Sequence, residues 1–357
     1  MKRPALAIII PGGIGTGKNN IGVPVLNGLV KIIAGQFDLT VFQLYTSNAD
    51  YKAEGFELVE VSRSTFLWVF RKHHREKKFV AVHGFWAVPT GFLAVVVGKL
   101  FGIKSVVSVL GGDAVALPDI GYGRLHRPLL RWLTLLTLRK ATHINALTQY
   151  LVNNLKAVGF ERPMDVIPWG VDRDMFDYHP KALGAALTFL HIGNLHPVKD
   201  QETLLRAFAI IHKSIASTLL IVGTGVDQSK IASLILQHDL QNSVTILEPV
   251  PYHLVTAIYH RADVLLHTSL SEGQCEVVTE AMSCGLPVCG TRVGLMHDLP
   301  ECCVTVDIRD YKRLAEETIR LVRDPERMND MRMRAHEWTT HHDILWTAEK
   351  LMAIYRS

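Results

Sequence analysis

The sequence predicts an α/β protein built from two doubly wound, Rossmann-like domains. Short apolar runs alternate with segments of helical periodicity along nearly the whole chain, an order typical of a parallel sheet covered by helices on both faces. The pattern stops at a polar connection over residues 172–180 and then starts again. A length of 357 residues also suits two domains of ordinary size.

The apolar runs are interpreted as the strands. In the first half they cover residues 5–10, 39–44, 56–61, 79–82, 105–110, 143–147 and 165–169. In the second half they cover residues 187–193, 218–223, 244–247, 264–268 and 287–290. Helical spacing of apolar residues over 344–355 predicts a terminal helix. Each half opens on a strand that ends in glycine, so the two domains are expected to face each other across a cleft, with ligands at the carboxyl ends of the strands.

Composition and charge exclude several classes of protein. Hydrophobic residues make up 48% of the chain and charged residues 20%, which predicts a chain folded throughout. The net charge of +4 is too small to imply nucleic-acid binding. Proline and glycine interrupt both the apolar amino-terminal run and residues 80–98, so we expect neither a signal peptide nor a bilayer span.

The five cysteines point to a reducing compartment. All of them lie between Cys275 and Cys303, and their spacing matches neither a metal site nor an extracellular disulfide framework. We therefore expect reduced thiols, a cytoplasmic protein and no bound metal.

Two carboxylates eight residues apart form the strongest candidate site. Glu272 follows the apolar run 264–268, whereas Glu280 falls inside a segment, 277–284, with the composition of a helix. The start of a helix offers unpaired N–H groups and the positive end of a dipole, so a phosphate could lie between the two acids. The alternative is that Glu272 is a solvated loop residue and Glu280 an ordinary surface acid of the helix.

Two further candidate sites lie where predicted strands of the first half end. Residues 12–18 read Gly-Gly-Ile-Gly-Thr-Gly-Lys, which resembles a P-loop, but Asn19 stands where a Ser or Thr hydroxyl must bind magnesium. His83 follows the run 79–82, and a histidine at a strand end is either packed and hydrogen-bonded or available for chemistry.

The sequence around the two acids resembles the signature of the retaining nucleotide-sugar glycosyltransferases of family 4. Residues 269–273 read Ser-Leu-Ser-Glu-Gly, and residues 280–290 read Glu-Ala-Met-Ser-Cys-Gly-Leu-Pro-Val-Cys-Gly. The resemblance implies the GT-B architecture, with an acceptor domain over residues 1–175 and a donor domain over residues 185–342. It also implies that a helix over residues 343–357 crosses back to the first domain.

The resemblance implies a role for each candidate residue. Glu272 would face the donor sugar, Glu280 would bind the ribose hydroxyls, and His83 would hydrogen-bond the transferred sugar. Lys199 would bind the diphosphate, and no metal or cofactor would be needed. The backbone at Gly13 and Gly15 would approach the acceptor and the diphosphate. Backbone amides would hold the sugar and the diphosphate over Gly273, Gln274, Cys275, Glu276 and Val277.

The chain departs from the family pattern at two places. Asn194 stands where the family has an arginine that clamps the diphosphate, so the bidentate fork of a guanidinium is missing. Lys18 is one residue that could supply the charge instead. Gln274 and Cys275 replace the Phe-Gly that the family often has, so a cysteine side chain is expected to border the sugar pocket. Glu276 is either a favourable acid in the first turn of the helix or a group that repels the diphosphate.

Two stretches of the first half, residues 66–78 and 124–133, are basic and apolar together. Such a helix either packs its apolar face on the sheet or lies on an anionic membrane surface, so peripheral membrane contact stays an open alternative.

The predicted function is transfer of a sugar, with retention of configuration, from a nucleoside diphosphate sugar to a hydroxyl acceptor. The alternatives are another GT-B enzyme, such as a nucleotide-sugar epimerase or hydrolase, and a degenerate module that binds the donor without turnover.

Overall fold

The computed structural model describes residues 3–16 and 22–357. The chain forms two compact units, the first made of Met1–Gly170 with Ile344–Ser357 and the second of Val171–Asp343. Each unit has its own parallel sheet with buried apolar clusters on both faces. The predicted α/β class with two Rossmann-like sheets is therefore confirmed.

The sheet of unit 1 has seven parallel strands. They are β1 (Ala5–Ile10), β2 (Asp38–Gln43), β3 (Glu57–Glu60), β4 (Ala81–Phe85), β5 (Lys104–Val109), β6 (His143–Ala146) and β7 (Asp165–Val166). The strand order is β3-β2-β1-β4-β5-β6-β7, so the direction of winding reverses between β1 and β4. Ligands of such sheets bind at the carboxyl ends of the strands beside this reversal.

Helices cover both faces of this sheet. They are α1 (Pro24–Ala34), α2 (Phe66–Lys77), α3 (Phe92–Phe101), α4 (Pro128–Lys140) and α5 (Gln149–Ala157). Alternate residues of β1 point to opposite faces, so Leu6 and Ile8 pack in the cluster that contains α1, whereas Ala7 and Ile9 pack in the cluster that contains α2 and α3.

The sheet of unit 2 has six parallel strands in the order β10-β9-β8-β11-β12-β13. They are β8 (Leu187–Ile192), β9 (Ser217–Val222), β10 (Val244–Leu247), β11 (Val264–His267), β12 (Val288–Thr291) and β13 (Val304–Val306). The first five lie where the sequence predicted strands. The sixth, β13, was not predicted, and it has only three residues.

Seven helices of the described chain belong to unit 2. They are α6 (Gln201–Ser214), α7 (Gln228–Gln237), α8 (Val255–Arg261), α9 (Glu276–Ser283), α10 (Leu295–Asp298), α11 (Tyr311–Val322) and α12 (Pro325–His341). Aspartates begin three of them: Asp200, Asp310 and Asp324 each accept a hydrogen bond from the backbone N–H three residues later. Such caps satisfy N–H groups that have no partner within the helix.

The last helix, α13 (Ile344–Arg356), packs against α1 in unit 1. Thr347 Oγ1 fixes its first turn by donating to the carbonyl of Pro168 at 2.7 Å and accepting from the N–H of Gly170 at 2.8 Å. Among the described residues, no helix is long and apolar enough to cross a bilayer.

Candidate functional site

The candidate site of unit 2 lies where two neighbouring strands end. β8 is followed by the loop that carries Asn194 and Lys199, and β11 is followed by the loop that carries Glu272. Because β8 and β11 pair in parallel, the two loops leave the same edge of the sheet. Thr268 Oγ1 donates to the carbonyl oxygens of Lys199 and Asp200, both at 3.0 Å, and so fixes the two loops to each other.

An ion pair between Lys199 and Glu272 forms the centre of this edge. Lys199 Nζ lies 2.6 Å from Glu272 Oε1, and both side chains are mostly buried. The same oxygen accepts from Ser269 Oγ at 2.5 Å and lies 3.2 Å from His267 Nε2. Burial alone would raise the pKa of Glu272, but the Lys199 ammonium and the His267 ring hold it well below its usual range. The pair is therefore charged at neutral pH and held in one geometry.

The Cys275 thiol is buried against the His267 ring. The side chain is only 4% exposed, and its sulfur lies 3.2 Å from His267 Nε2 and 3.6 Å from His267 Nδ1. Similar distances to both ring nitrogens place the sulfur over the face of the ring. Cys275, the residue directly before α9, also has a φ of 84°, a backbone conformation that costs a non-glycine residue energy.

His267, Glu272 and Cys275 bring one potential metal ligand each within 4.8 Å of one another. Nitrogen, oxygen and sulfur donors of this kind suit zinc. The geometry favours the ion pair instead, because the Lys199 ammonium already contacts Glu272 Oε1 at 2.6 Å and the sulfur does not lie along the lone pair of a ring nitrogen.

The start of α9 continues the site. Glu276 and Val277 are half-buried in its first turn, whereas the Gln274 side chain is buried and donates to Thr279 Oγ1 at 3.1 Å. N–H groups of a first helical turn have no partner within the helix and favour anions. Burial raises the pKa of the Glu276 carboxyl.

Glu280 lies one turn further along α9, as predicted, but it is 5% exposed. Its Oε1 accepts from the hydroxyl of Tyr252 at 2.8 Å, and its Oε2 accepts from the hydroxyl of Tyr259 at 2.6 Å. Burial raises the pKa of Glu280 to about 7, against the opposing effect of the two hydroxyls. Each carboxylate oxygen has two acceptor positions, and the two tyrosines use one on each.

Asn194 is exposed. Its carbonyl accepts from Gln201 Nε2 at 3.1 Å, a bond that anchors the loop to the start of α6.

The glycine loop of unit 1 follows β1 at the reversal of winding. Gly13 and Gly15 have φ values of 116° and 64°, which glycine adopts without strain. A Cβ at Gly15 would also collide with the ring of Tyr51. Lys18 and Asn19, the residues that decide the P-loop comparison, lie outside the described residues.

His83 is not at the end of a strand, so this prediction was wrong. It occupies the centre of β4 and is fully buried. Its Nδ1 is hydrogen-bonded to the hydroxyl of Tyr355 and its Nε2 to Ser108 Oγ, both at 2.6 Å. Burial lowers the pKa of His83 to about 3. With both ring nitrogens occupied, His83 acts as a core residue and offers no free nitrogen to a sugar.

Replacing Tyr355 with phenylalanine is expected to lower the free energy of unfolding of unit 1 by about 1–3 kcal/mol, because His83 Nδ1 then stays buried without a partner. Urea denaturation followed by circular dichroism measures the loss, and Tyr45→Phe at an exposed tyrosine of the same unit is the control. Equal urea midpoints for Tyr355→Phe and the wild type would contradict the role of the His83–Tyr355 bond.

Sequence reasoning missed three residues around these sites. Tyr252 and Tyr259 hold Glu280, yet aromatic residues before and within a helix ordinarily indicate core packing. Asp113 is fully buried after β5, and burial raises its pKa to about 6, opposed by nearby donors that include Arg124. The signal for Asp113 was the Gly-Gly-Asp sequence at a strand end.

Residues 180–338 match the family described as glycosyl transferases group 1, and residues 45–170 match the glycosyl transferase 4-like domain. The two matches fall in unit 2 and unit 1 respectively.

Curated relatives are 25–28% identical to this chain over the residues that align. The N-acetyl-alpha-D-glucosaminyl L-malate synthase of Bacillus anthracis is 25% identical and aligns over 77% of this chain and 73% of its own. A D-inositol 3-phosphate glycosyltransferase of Segniliparus rotundus is 28% identical over 59% of this chain and 49% of its own. A phosphatidylinositol N-acetylglucosaminyltransferase subunit from Arabidopsis thaliana is 27% identical over 48% of this chain and 40% of its own. The chain thus spans less than half the length of the last two.

Solved structures share the fold at lower identity. Sucrose-phosphate synthase from Thermosynechococcus elongatus aligns with a TM-score of 0.82 at 18% identity, over 99% of this chain and 98% of that one. HepE of Anabaena, solved with UDP and glucose, aligns with a TM-score of 0.77 at 16% identity, over 98% and 99%. The fold is thus GT-B, as the resemblance implied.

Proposed function

Because the chain belongs to the family 4 glycosyltransferases, we propose that it transfers a sugar from a nucleoside diphosphate sugar to a hydroxyl acceptor. The transfer retains the configuration of the sugar and needs no metal. The donor binds to unit 2 and the acceptor to unit 1.

The observation that carries the proposal is the buried ion pair of Lys199 and Glu272 beside the first turn of α9. As the bond to the sugar breaks, negative charge builds on the leaving diphosphate. A fixed ammonium and the N–H groups at the start of a helix stabilise that charge without having to reorganise. The Glu272 carboxylate then faces the sugar hydroxyls as an acceptor, and the proton of the attacking hydroxyl passes to a departing phosphate oxygen.

Glu280 is proposed to accept hydrogen bonds from the ribose hydroxyls. The two tyrosines fix the direction of its carboxylate before the donor arrives, which reduces the entropy lost on binding.

Exposed Asn194 favours a second candidate, a module that binds the donor without efficient turnover. An arginine guanidinium at this position would bind the diphosphate with two hydrogen bonds. The Asn194 amide supplies no charge.

A panel of donors and acceptors, assayed by mass spectrometry on the full chain, tests the proposal. UDP-N-acetylglucosamine, UDP-glucose and GDP-mannose are combined with L-malate, D-inositol 3-phosphate and phosphatidylinositol, the acceptors that the names of the relatives suggest. We expect transfer with at least one pair, and proton NMR of the product should show the anomeric configuration of the donor. Isomerised donor would instead support an epimerase, free sugar would support a hydrolase, and binding without turnover would support the degenerate module.

We also propose a cytoplasmic location. All five cysteines are free thiols and buried, a state typical of a reducing compartment.

A further inference from the structure

Large apolar side chains are exposed on two basic helices of unit 1. On α2, Trp68 is 71% exposed and Leu67 is 46% exposed. On α4, Leu129 is 72% exposed and Trp132 is 58% exposed. The apolar residues that pack α2 and α4 on the sheet are different ones, such as Phe70 and Leu138. Core packing therefore does not account for these four side chains.

The four side chains lie at the same end of one face of unit 1. Helix α3 lies between the two helices, since its Phe101 ring contacts Phe70 of α2 at 5.7 Å and α3 also packs against α4. Both α2 and α4 finish just before the next strand begins, so their first turns lie at the carboxyl edge of the parallel sheet. The exposed residues are in the first two turns of each helix.

Charge is concentrated on the same unit. Residues 1–170 and 344–357, which form unit 1, contain 22 Lys and Arg against 11 Asp and Glu, a net charge of +11, whereas residues 171–343 contain 16 against 23, a net charge of −7. On α2, Arg71, Lys72 and Arg75 are exposed, and none of them forms an ion pair with another residue that the structure describes. The sequence of α4 contains no acidic residue.

We propose that this face, defined by the exposed residues of α2 and α4, docks on an anionic membrane surface. Basic side chains attract acidic lipid headgroups, at about 1 kcal/mol per Lys or Arg near the surface. Tryptophan is the side chain most typical of the membrane–water boundary, where its ring lies at the depth of the headgroups. A nucleic acid or an acidic protein would use the charges, but would not require exposed leucines in the same helical turns.

Docking on this face turns the carboxyl edge of the sheet of unit 1 toward the bilayer. That edge carries the glycine loop after β1. The docking surface itself does not depend on the proposed transfer reaction.

Vesicle co-sedimentation of the full chain tests the proposal. Vesicles contain phosphatidylcholine alone or phosphatidylcholine with phosphatidylglycerol. We expect binding only to the mixed vesicles, with a large loss at high salt. Trp68→Ser with Trp132→Ser should weaken partitioning at least tenfold. Arg71→Gln with Lys72→Gln should weaken it about thirtyfold, the equivalent of two headgroup contacts.

Leu236→Ser with Leu254→Ser is the matched control, because both leucines are exposed on unit 2, and it should bind like the wild type. Circular dichroism checks that each variant is folded. Failure of the wild type to bind mixed vesicles, or equal loss in the control, would overturn the proposal. Binding to heparin but not to vesicles would assign the face to a soluble polyanion instead.

Discussion

Replacing Lys199 with methionine is expected to lower kcat/KM for sugar transfer by about 10²- to 10³-fold. Methionine keeps most of the length of the side chain but removes the ammonium that lies 2.6 Å from Glu272 Oε1. The departing diphosphate then loses its proposed cation, and the buried Glu272 carboxylate loses its counter-charge. Steady-state kinetics with the active donor and acceptor pair measures the change.

Lys213→Met is the matched control, because Lys213 is an exposed lysine on α6 of the same unit. It should leave kcat/KM unchanged. Lys199→Arg keeps a cation with a different shape, so its activity should lie between those of Lys199→Met and the wild type. A Lys199→Met protein with more than half of the wild-type kcat/KM would show that the lysine does not stabilise the leaving group.

Replacing Glu280 with alanine is expected to lower the free energy of unfolding by about 2–4 kcal/mol. Tyr259 is fully buried and Tyr252 is partly buried, and both hydroxyls would lose their acceptor. Affinity for UDP should also fall about tenfold or more, because the ribose loses its proposed partner. Urea denaturation and titration calorimetry measure the two effects.

The same carboxyl makes stability depend on pH. The pKa of Glu280 is raised to about 7, against an ordinary value of about 4.3 in an unfolded chain. The folded state therefore binds more protons than the unfolded state between these values. The stabilisation is fully present below the ordinary pKa and is lost as pH rises through about 7, by up to roughly 3 kcal/mol.

Glu280→Gln should remove this part of the pH dependence, which urea midpoints from pH 4 to pH 8 would reveal. Glu301→Ala, at an exposed acid of the same unit, is the control. A Glu280→Gln protein with the same pH profile as the wild type would mean that Glu280 titrates normally. Unchanged UDP affinity in Glu280→Ala, with unfolding still affected, would limit Glu280 to a structural role.

Most strands could be predicted because strands of a parallel sheet are buried on both faces and read as continuous apolar runs. The exceptions have physical causes. β13 is too short for a period to be recognised. β4 was placed too early because His83 interrupts its apolar run, and the partner that makes His83 a core residue is Tyr355, 272 residues away. No local sequence pattern reveals a contact between residues so far apart in the chain.

The candidate site, like the fold, could be predicted from the sequence only in part. Lys199 and Glu272 both follow strands, and neighbouring parallel strands bring such residues together, so their proximity could be anticipated. The contacts around them could not. The rotation of Cys275 onto His267 depends on an unusual φ, and the tyrosines beside Glu280 depend on how α8 packs.

The path of the chain also affects the order in which the protein can be completed during synthesis. The chain leaves unit 1 after Gly170 and returns at Ile344, and an isolated parallel bridge joins Val171 to Asp343. Unit 2 is therefore one uninterrupted stretch. A ribosome synthesises all of it before it makes α13, whose Leu351 and Tyr355 belong to the core of unit 1. The unit that is begun first is thus finished last, and its apolar interior stays incomplete until the second unit has all its residues.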